Sequence, residues 1–218
     1  RNYPGKYPNF GRRSTYVGSV NGVDSVLVNK DDRVQKFSGY KQWDIIQKLL
    51  FKQNEHISHS LNFQLSNTTD VPRYDRLQDT RNFGGSIGTT LRYAEWYYGP
   101  QKRIMGAYEL NAAKLGFVDA LKANINYQEI EESRQTREYR RYDRFDSQVE
   151  KVKVFDVTIS ARKNIGNSEL TVGADAQLND VKSRATRTNL TTGAVTKLAT
   201  RYPDGKNKMN NFGIFAQH

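Results

Sequence analysis

From Ile57 to Ser66 the chain alternates apolar and small polar residues over ten positions, Ile-Ser-His-Ser-Leu-Asn-Phe-Gln-Leu-Ser. Successive side chains on a strand point to opposite faces, so Ile57, Leu61, Phe63 and Leu65 make an apolar wall and Ser58, Ser60, Asn62 and Gln64 a wet one. The pattern returns downstream. Phe155, Val157, Ile159 and Ala161 interleave with Asp156, Thr158, Ser160 and Arg162, and Leu170, Val172, Ala174, Ala176 and Leu178 with Glu169, Thr171, Asp175, Gln177 and Asn179. Two-faced strands of this length are what a transmembrane β-barrel needs, because its outside meets lipid and its inside meets water.

A conventional interior is hard to assemble from this composition. Only 36% of the 218 residues are hydrophobic, and the mean hydropathy is -0.81. The 13 Tyr and 10 Phe nevertheless favour sheet and argue against disorder. No apolar run of about eighteen residues offers a transmembrane helix. Arg1-Asn2-Tyr3-Pro4-Gly5 lacks the apolar segment of a signal peptide, so an exported protein would begin upstream of this chain. The absence of cysteine excludes disulfide frameworks and thiolate metal sites.

The formal net charge of +11 raises the question of nucleic acid. Its distribution argues against that partner: Arg137, Arg140, Arg141 and Arg144 are mixed with Glu138, Asp143 and Asp146, and the lysines of 41–52 and 182–208 are dispersed. Anionic headgroups or acidic surface sugars account for the charge equally well. No nucleophile elbow, phosphate-cradling loop, Cys/His cluster or HExxH string occurs, so no catalytic residue is assigned and no enzyme is expected.

Along the chain, residues 16–28 read as a small hairpin turning at Asn21-Gly22. Seven strands follow, at about 37–52, 57–66, 102–112, 118–130, 149–163, 168–181 and 212–218. Their connections alternate short and long: brief turns near 53–55, 114–116 and 164–167, but long polar segments over 67–101, 131–147 and 182–207. Outer-membrane barrels have that asymmetry, with short periplasmic turns and long extracellular loops. Seven is an awkward strand count for a closed barrel, and a last strand without its neighbour leaves an open edge. The expectation is an all-β, antiparallel transmembrane barrel segment spanning 1–218, part of a larger barrel.

Four strings go beyond periodicity: Phe37-Ser38-Gly39-Tyr40-Lys41-Gln42-Trp43-Asp44, Asp70-Val71-Pro72-Arg73-Tyr74-Asp75-Arg76-Leu77, the run from Leu91 through Trp96-Tyr97-Tyr98-Gly99-Pro100 to Arg103, and Arg201-Tyr202-Pro203-Asp204-Gly205-Lys206. In order and spacing they resemble the mid-barrel region of TonB-dependent outer-membrane receptors, closest to the haem and haemoglobin receptor group. The resemblance implies a 22-stranded barrel in the bacterial outer membrane, long loops extracellular, with a plug domain and TonB box that this chain does not contain. It also implies energy-coupled uptake of haem, a haem protein, an iron chelate or a similar bulky nutrient. Outer-membrane lipid would be a partner, and TonB another through the missing N-terminal part. Haem enters as transported ligand, with no covalently bound cofactor and no metal ligands assigned.

Within that frame the ligand-binding candidates are the loop residues Arg73, Tyr74, Arg76, Trp96, Tyr97 and Tyr98. Trp96, Tyr97 and Tyr98 suit either an anchor at the headgroup boundary or a rigid aromatic patch against a flat ligand. Arg73 and Arg76, with Asp75, suit either a salt-bridge network fixing Tyr74 or contact with a ligand carboxylate. Glu131-Glu132 near Arg134 and Arg137 reads as a solvated strand end. His56 and His59 lie beside a short turn and so at the periplasmic end, with His59 on the outward face. The alternatives to an importer are a surface-binding or adhesion barrel without transport, and a soluble basic β-protein that binds nucleic acid.

Overall fold

A computed structural model describes residues 12–218 of the protein; the Arg1–Gly5 stretch weighed as a signal sequence lies outside them. The seven long strands are β3 (Gln42–Lys52), β4 (Ile57–Thr68), β9 (Lys102–Ala113), β10 (Ala120–Glu138), β11 (Phe145–Ile165), β12 (Ser168–Thr188) and β14 (Gly205–Gln217). Seven short ones are β1 (Thr15–Val20), β2 (Val23–Val28), β5 (Val71–Pro72), β6 (Thr80–Asn82), β7 (Thr89–Leu91), β8 (Tyr93–Tyr98) and β13 (Val195–Lys197). The long strands form one antiparallel sheet in the order β3-β4-β9-β10-β11-β12-β14.

Register makes the two faces continuous across this sheet. Leu49, Leu61, Tyr108, Ile125, Val157, Ala176 and Phe212 stand directly opposite one another in a single row. The row beside it reads Phe51, His59, Leu110, Ala123, Ile159, Ala174 and Ile214. Leu61, Phe63, Ile159, Val172, Phe212 and Ile214 are all exposed, so this apolar face has no covering layer among the described residues. The other face carries Lys48, Asn62, Asn126, Asp156, Gln177 and Asn211 in one row. Met105 and Val154 are buried there, which a single sheet achieves by curving with the polar side concave.

The expected loop at 131–147 is largely strand. β10 runs to Glu138 and β11 starts at Phe145, leaving a turn over 139–144. Likewise β12 continues to Thr188 and β14 begins at Gly205. Strands of 19 and 21 residues are about twice the 9–11 that cross a bilayer, so their upper halves stand beyond the apolar band. There a different neighbour takes over: β8 pairs with β10 above β9, and β13 pairs with β12 above β14. Gly99-Pro100 therefore does not turn the chain back; it offsets two strand segments that both run along β10. Gly99 sits at φ +100°, and a Cβ there would come within 3.0 Å of the Thr69 carbonyl, so only glycine fits the step.

The 67–101 segment, expected as loop, is also ordered. β5 pairs with β8, β6 with β7, and a single 3-10 turn covers Arg76–Gln78. The N-terminal hairpin is as read: β1 pairs with β2 through Asn21 and Gly22, both at positive φ. It packs on the upper layer, where Val17, Leu91 and Tyr139 form a small apolar core with Phe83 and Ala94.

Candidate functional site

Residue parity decides which of the expected ligand residues can meet. On β10 the polar, concave face carries the even positions, and β8 is in register with it: Trp96 stands opposite Thr136, and Tyr98 opposite Arg134. Trp96 and Tyr98 thus continue the concave face above the apolar band. Tyr97, opposite Gln135, points the other way. The three-residue aromatic string is split between two sides of one strand.

On the concave side Arg73 joins the pair. Its guanidinium lies 4.9 Å from the Trp96 ring and 5.4 Å from the Tyr98 ring, and Nη1 donates to the Tyr98 hydroxyl at 2.7 Å. Asp75 holds the other edge of the fork, accepting from Nε at 2.8 Å and Nη2 at 2.6 Å. Arg134 approaches Trp96 from β10 at 6.0 Å and donates to Gln148. Trp96 is 8% exposed, and its edge contacts Tyr98 at a centroid distance of 5.0 Å. It is therefore a packed ring with two guanidinium groups close by rather than a ring at a lipid boundary. Arg76, Tyr93, Trp96, Arg134, Thr136, Asp146 and Gln148 line a cavity of about 350 Å³ beside this ring. Arg76 bridges to Asp79 at 3.3 Å, and Arg187 secures Asp146 at 2.6 Å.

The Arg73 hydrogen bonds are the main reason the Asp75 carboxyl is held down at about 2. A lowered carboxyl adds stability above its ordinary value near 3.8 and loses it as pH falls through the folded value. Trp96 fluorescence in the intact protein is therefore expected to stay constant from about pH 9 to pH 4 and to change only on approach to pH 2. A transition centred between pH 4 and 6 would show that Asp75 does not set the Arg73 position.

On the opposite side, Tyr97 borders a cavity of about 320 Å³ beneath the N-terminal hairpin, with Val17, Phe37, Leu77, Glu95 and Arg137 among its walls. Burial, with Glu95 and Asp70 nearby, pushes the Tyr97 hydroxyl up to about 12. Tyr74 lies under the Arg13 guanidinium, 5.7 Å from ring to carbon. Arg73, Arg76, Trp96 and Tyr98 thus gather on the concave side, whereas Tyr97 and Tyr74 belong to the packing of the outer layer. Arg134, a member of the cluster, is not among the ligand-binding residues the sequence singles out. Its only signal is the i, i+2 alternation Glu132-Arg134-Thr136, which carries meaning because 131–138 is strand.

At the short-turn end, His59 stands on the apolar face between Phe51 and Tyr108. Its ring nitrogens meet the Tyr108 hydroxyl at 2.8 Å and the Gln53 side-chain oxygen at 3.0 Å. Both nitrogens are engaged and the ring stacks on Phe51 and Tyr108, which suits an interface histidine. Glu131 bridges to Lys151 at 2.8 Å.

No protein-family model matches the chain, and no curated protein matches it in sequence. Among solved structures the copper transporter OprC is similar in fold, with a TM-score of 0.58 and 13% sequence identity over 81% of this chain and 25% of that one. The likeness establishes the same kind of antiparallel barrel wall. This chain spans about a quarter of that transporter's length.

Proposed function

We propose that the chain is wall and loops of a TonB-dependent outer-membrane importer whose complete barrel has about 22 strands. The importer takes up haem, a haem protein or another bulky anionic iron chelate. The apolar band supports the membrane reading. From Ile57 to Leu65 it covers roughly 26 Å along β4, or about 20 Å along the normal at a tilt of about 40°, close to the lipid-facing band of such barrels. A bacterial outer membrane with the long connections outward suits the ordered upper layer, since short turns belong on the periplasmic side.

The observation that carries the ligand class is the Arg73–Trp96–Tyr98–Arg134 cluster at the long-connection mouth of the concave face. The cluster borders the cavity lined by Arg76, Tyr93, Trp96 and Arg134, which offers aromatic ring edges to a flat ring system and the Arg76 and Arg134 guanidinium groups to its carboxylates. Copper, the cargo named for the similar structure, would need sulfur donors as Cu(I) or imidazole and oxygen donors as Cu(II) brought together, and no group of three or more His, Cys, Asp or Glu that could hold a metal ion occurs among the described residues. Met105 and Met209 do share one concave-face row but stand four strands apart, about 19 Å. The anionic ring ligand is the better fit.

Haem titration of the intact receptor tests this. Trp96→Ala and the Arg73→Ala/Arg134→Ala pair are each expected to weaken binding about tenfold or more. His56→Ala/His59→Ala and Tyr97→Phe are expected to leave it unchanged, because those side chains lie at the other end and on the other face. Loss of haem binding in the histidine pair with retention in Trp96→Ala would overturn the assignment. Binding without TonB-dependent uptake would make the protein a surface receptor instead of an importer.

A further inference from the structure

The lysines that look dispersed in sequence are gathered by the register. On the apolar face the band ends on β11 at Phe155 and on β12 at Leu178, and the next positions upward are charged. Lys151, Lys182 and Lys206 stand directly opposite one another on β11, β12 and β14. Lys153 and Lys208 flank Asp180 in the row below, and Arg184 stands one position above Lys182 on the same face. All six cations are exposed. Across three strands about 4.8 Å apart they occupy a patch roughly 10 Å wide.

Like charges directly opposite in neighbouring strands repel, and the protein answers this repulsion only at one margin. Lys151 and Lys153 reach back to Glu131 and Glu129 on β10, at 2.8 and 2.9 Å. Lys182, Arg184, Lys206 and Lys208 make no ion pair among the described residues, and on the patch's own face Asp180 is the sole carboxylate of the three strands at this level. Three aligned lysines immediately above a lipid-facing band call for an anion in the headgroup layer.

We infer that this patch on β11, β12 and β14 is a binding surface for the phosphate groups of a phosphorylated lipid in the leaflet at the long-connection end, the acyl chains lying on Phe155, Leu178 and Phe212. The inference rests on the membrane-barrel reading but not on the ligand assigned to the mouth. The register brings positive charge to the height of the phosphates and apolar side chains to the height of the acyl chains. Juxtamembrane cations are attracted to anionic headgroups in this way.

The test uses the intact receptor, delipidated in neutral detergent and titrated with lipid A or with lipid A stripped of its phosphates, retained lipid being read by native mass spectrometry. Wild type is expected to retain the phosphorylated form preferentially. Lys182→Gln/Arg184→Gln/Lys206→Gln should lower that retention by about tenfold or more, while Lys182→Arg/Lys206→Arg retains it. Equal retention of the two lipids, or of phosphorylated lipid by wild type and the glutamine variant, would overturn the proposal. Displacement by millimolar inorganic phosphate would overturn the lipid assignment in favour of a free-anion site. Insertion into phosphatidylcholine vesicles separates the two readings: failure to insert removes the importer and this surface together, whereas normal insertion and haem binding with equal retention removes this surface alone.

Discussion

Replacing Arg137 with Met is expected to release the β1–β2 hairpin from the upper layer at a cost of about 3–5 kcal/mol, the usual penalty for leaving one member of a buried ion pair alone. Arg137 and Asp24 have side chains 8% and 6% exposed, joined by hydrogen bonds of 2.5 and 3.0 Å. Burial pulls the Arg137 pKa down, but the bonds to Asp24 and Glu95 outweigh it and leave it raised. Asp24 also accepts from the Arg140 amide at 2.8 Å, and its own amide donates to the Tyr142 hydroxyl at 2.6 Å. Glu95 takes the Arg137 Nε at 2.7 Å. One guanidinium therefore ties the hairpin, β8 and β10 together. Without it the Asp24 carboxylate keeps a single donor in a site with little water. Hydrogen exchange should show the amides of Thr15–Val28 losing protection while those of β4 and β9 keep theirs. Unchanged hairpin protection in Arg137→Met would show that the apolar contacts of Val17 hold the layer alone. Removing both charges, as Asp24→Leu/Arg137→Met, should recover a large part of the loss, since a matched apolar pair leaves no stranded carboxylate.

The sequence made the lower wall legible and left the upper layer obscure for one physical reason. In the band, one face meets apolar surroundings and the other water, so Leu61, Phe63, Val157 and Val172 alternate with polar neighbours and announce their strands. Above the band both faces carry charged and polar side chains. The alternation then loses its contrast, and Glu131, Arg134, Arg137 and Glu138 read as a charged connection although the ladder continues through them. Cross-strand ion pairs take over the role of apolar contact there: Glu131 with Lys151, Asp146 with Arg187, and Glu138 with both Arg81 and Arg92. None of those pairings can be seen before the register is known. The aromatic string was legible as a binding candidate but not as two half-sites, because the face of each ring depends on β8 being a strand. The lysine patch was hidden in the same way: Lys151, Lys182 and Lys206 lie 24 to 55 residues apart along the chain, and only the β11-β12-β14 register aligns them.

Leu61→Arg is expected to destabilise the intact barrel in a lipid bilayer by about 2–4 kcal/mol, whereas Asn62→Arg, one residue along, should cost far less. Leu61 lies at mid-height of the band, opposite Leu49 and Tyr108 and exposed over 53% of its surface. That exposure would be unremarkable for an isolated leucine in water. Here it belongs to a row of Leu, Tyr, Ile, Val, Ala and Phe with no covering layer among the described residues, so the fold makes physical sense when lipid is the cover. A guanidinium in place of Leu61 must then be desolvated at the bilayer centre. The Asn62 side chain shares the concave face with Lys48 and Asn126, and an arginine there would stay hydrated. Urea titrations of folding into phosphatidylcholine vesicles measure both values. Equal costs at the two positions would mean that lipid does not meet the Leu61 face, and the polar side would lose its reading as a lumen wall. The mouth assigned to Arg73, Trp96, Tyr98 and Arg134 would fall with it, because that site is defined by the same side of the same sheet.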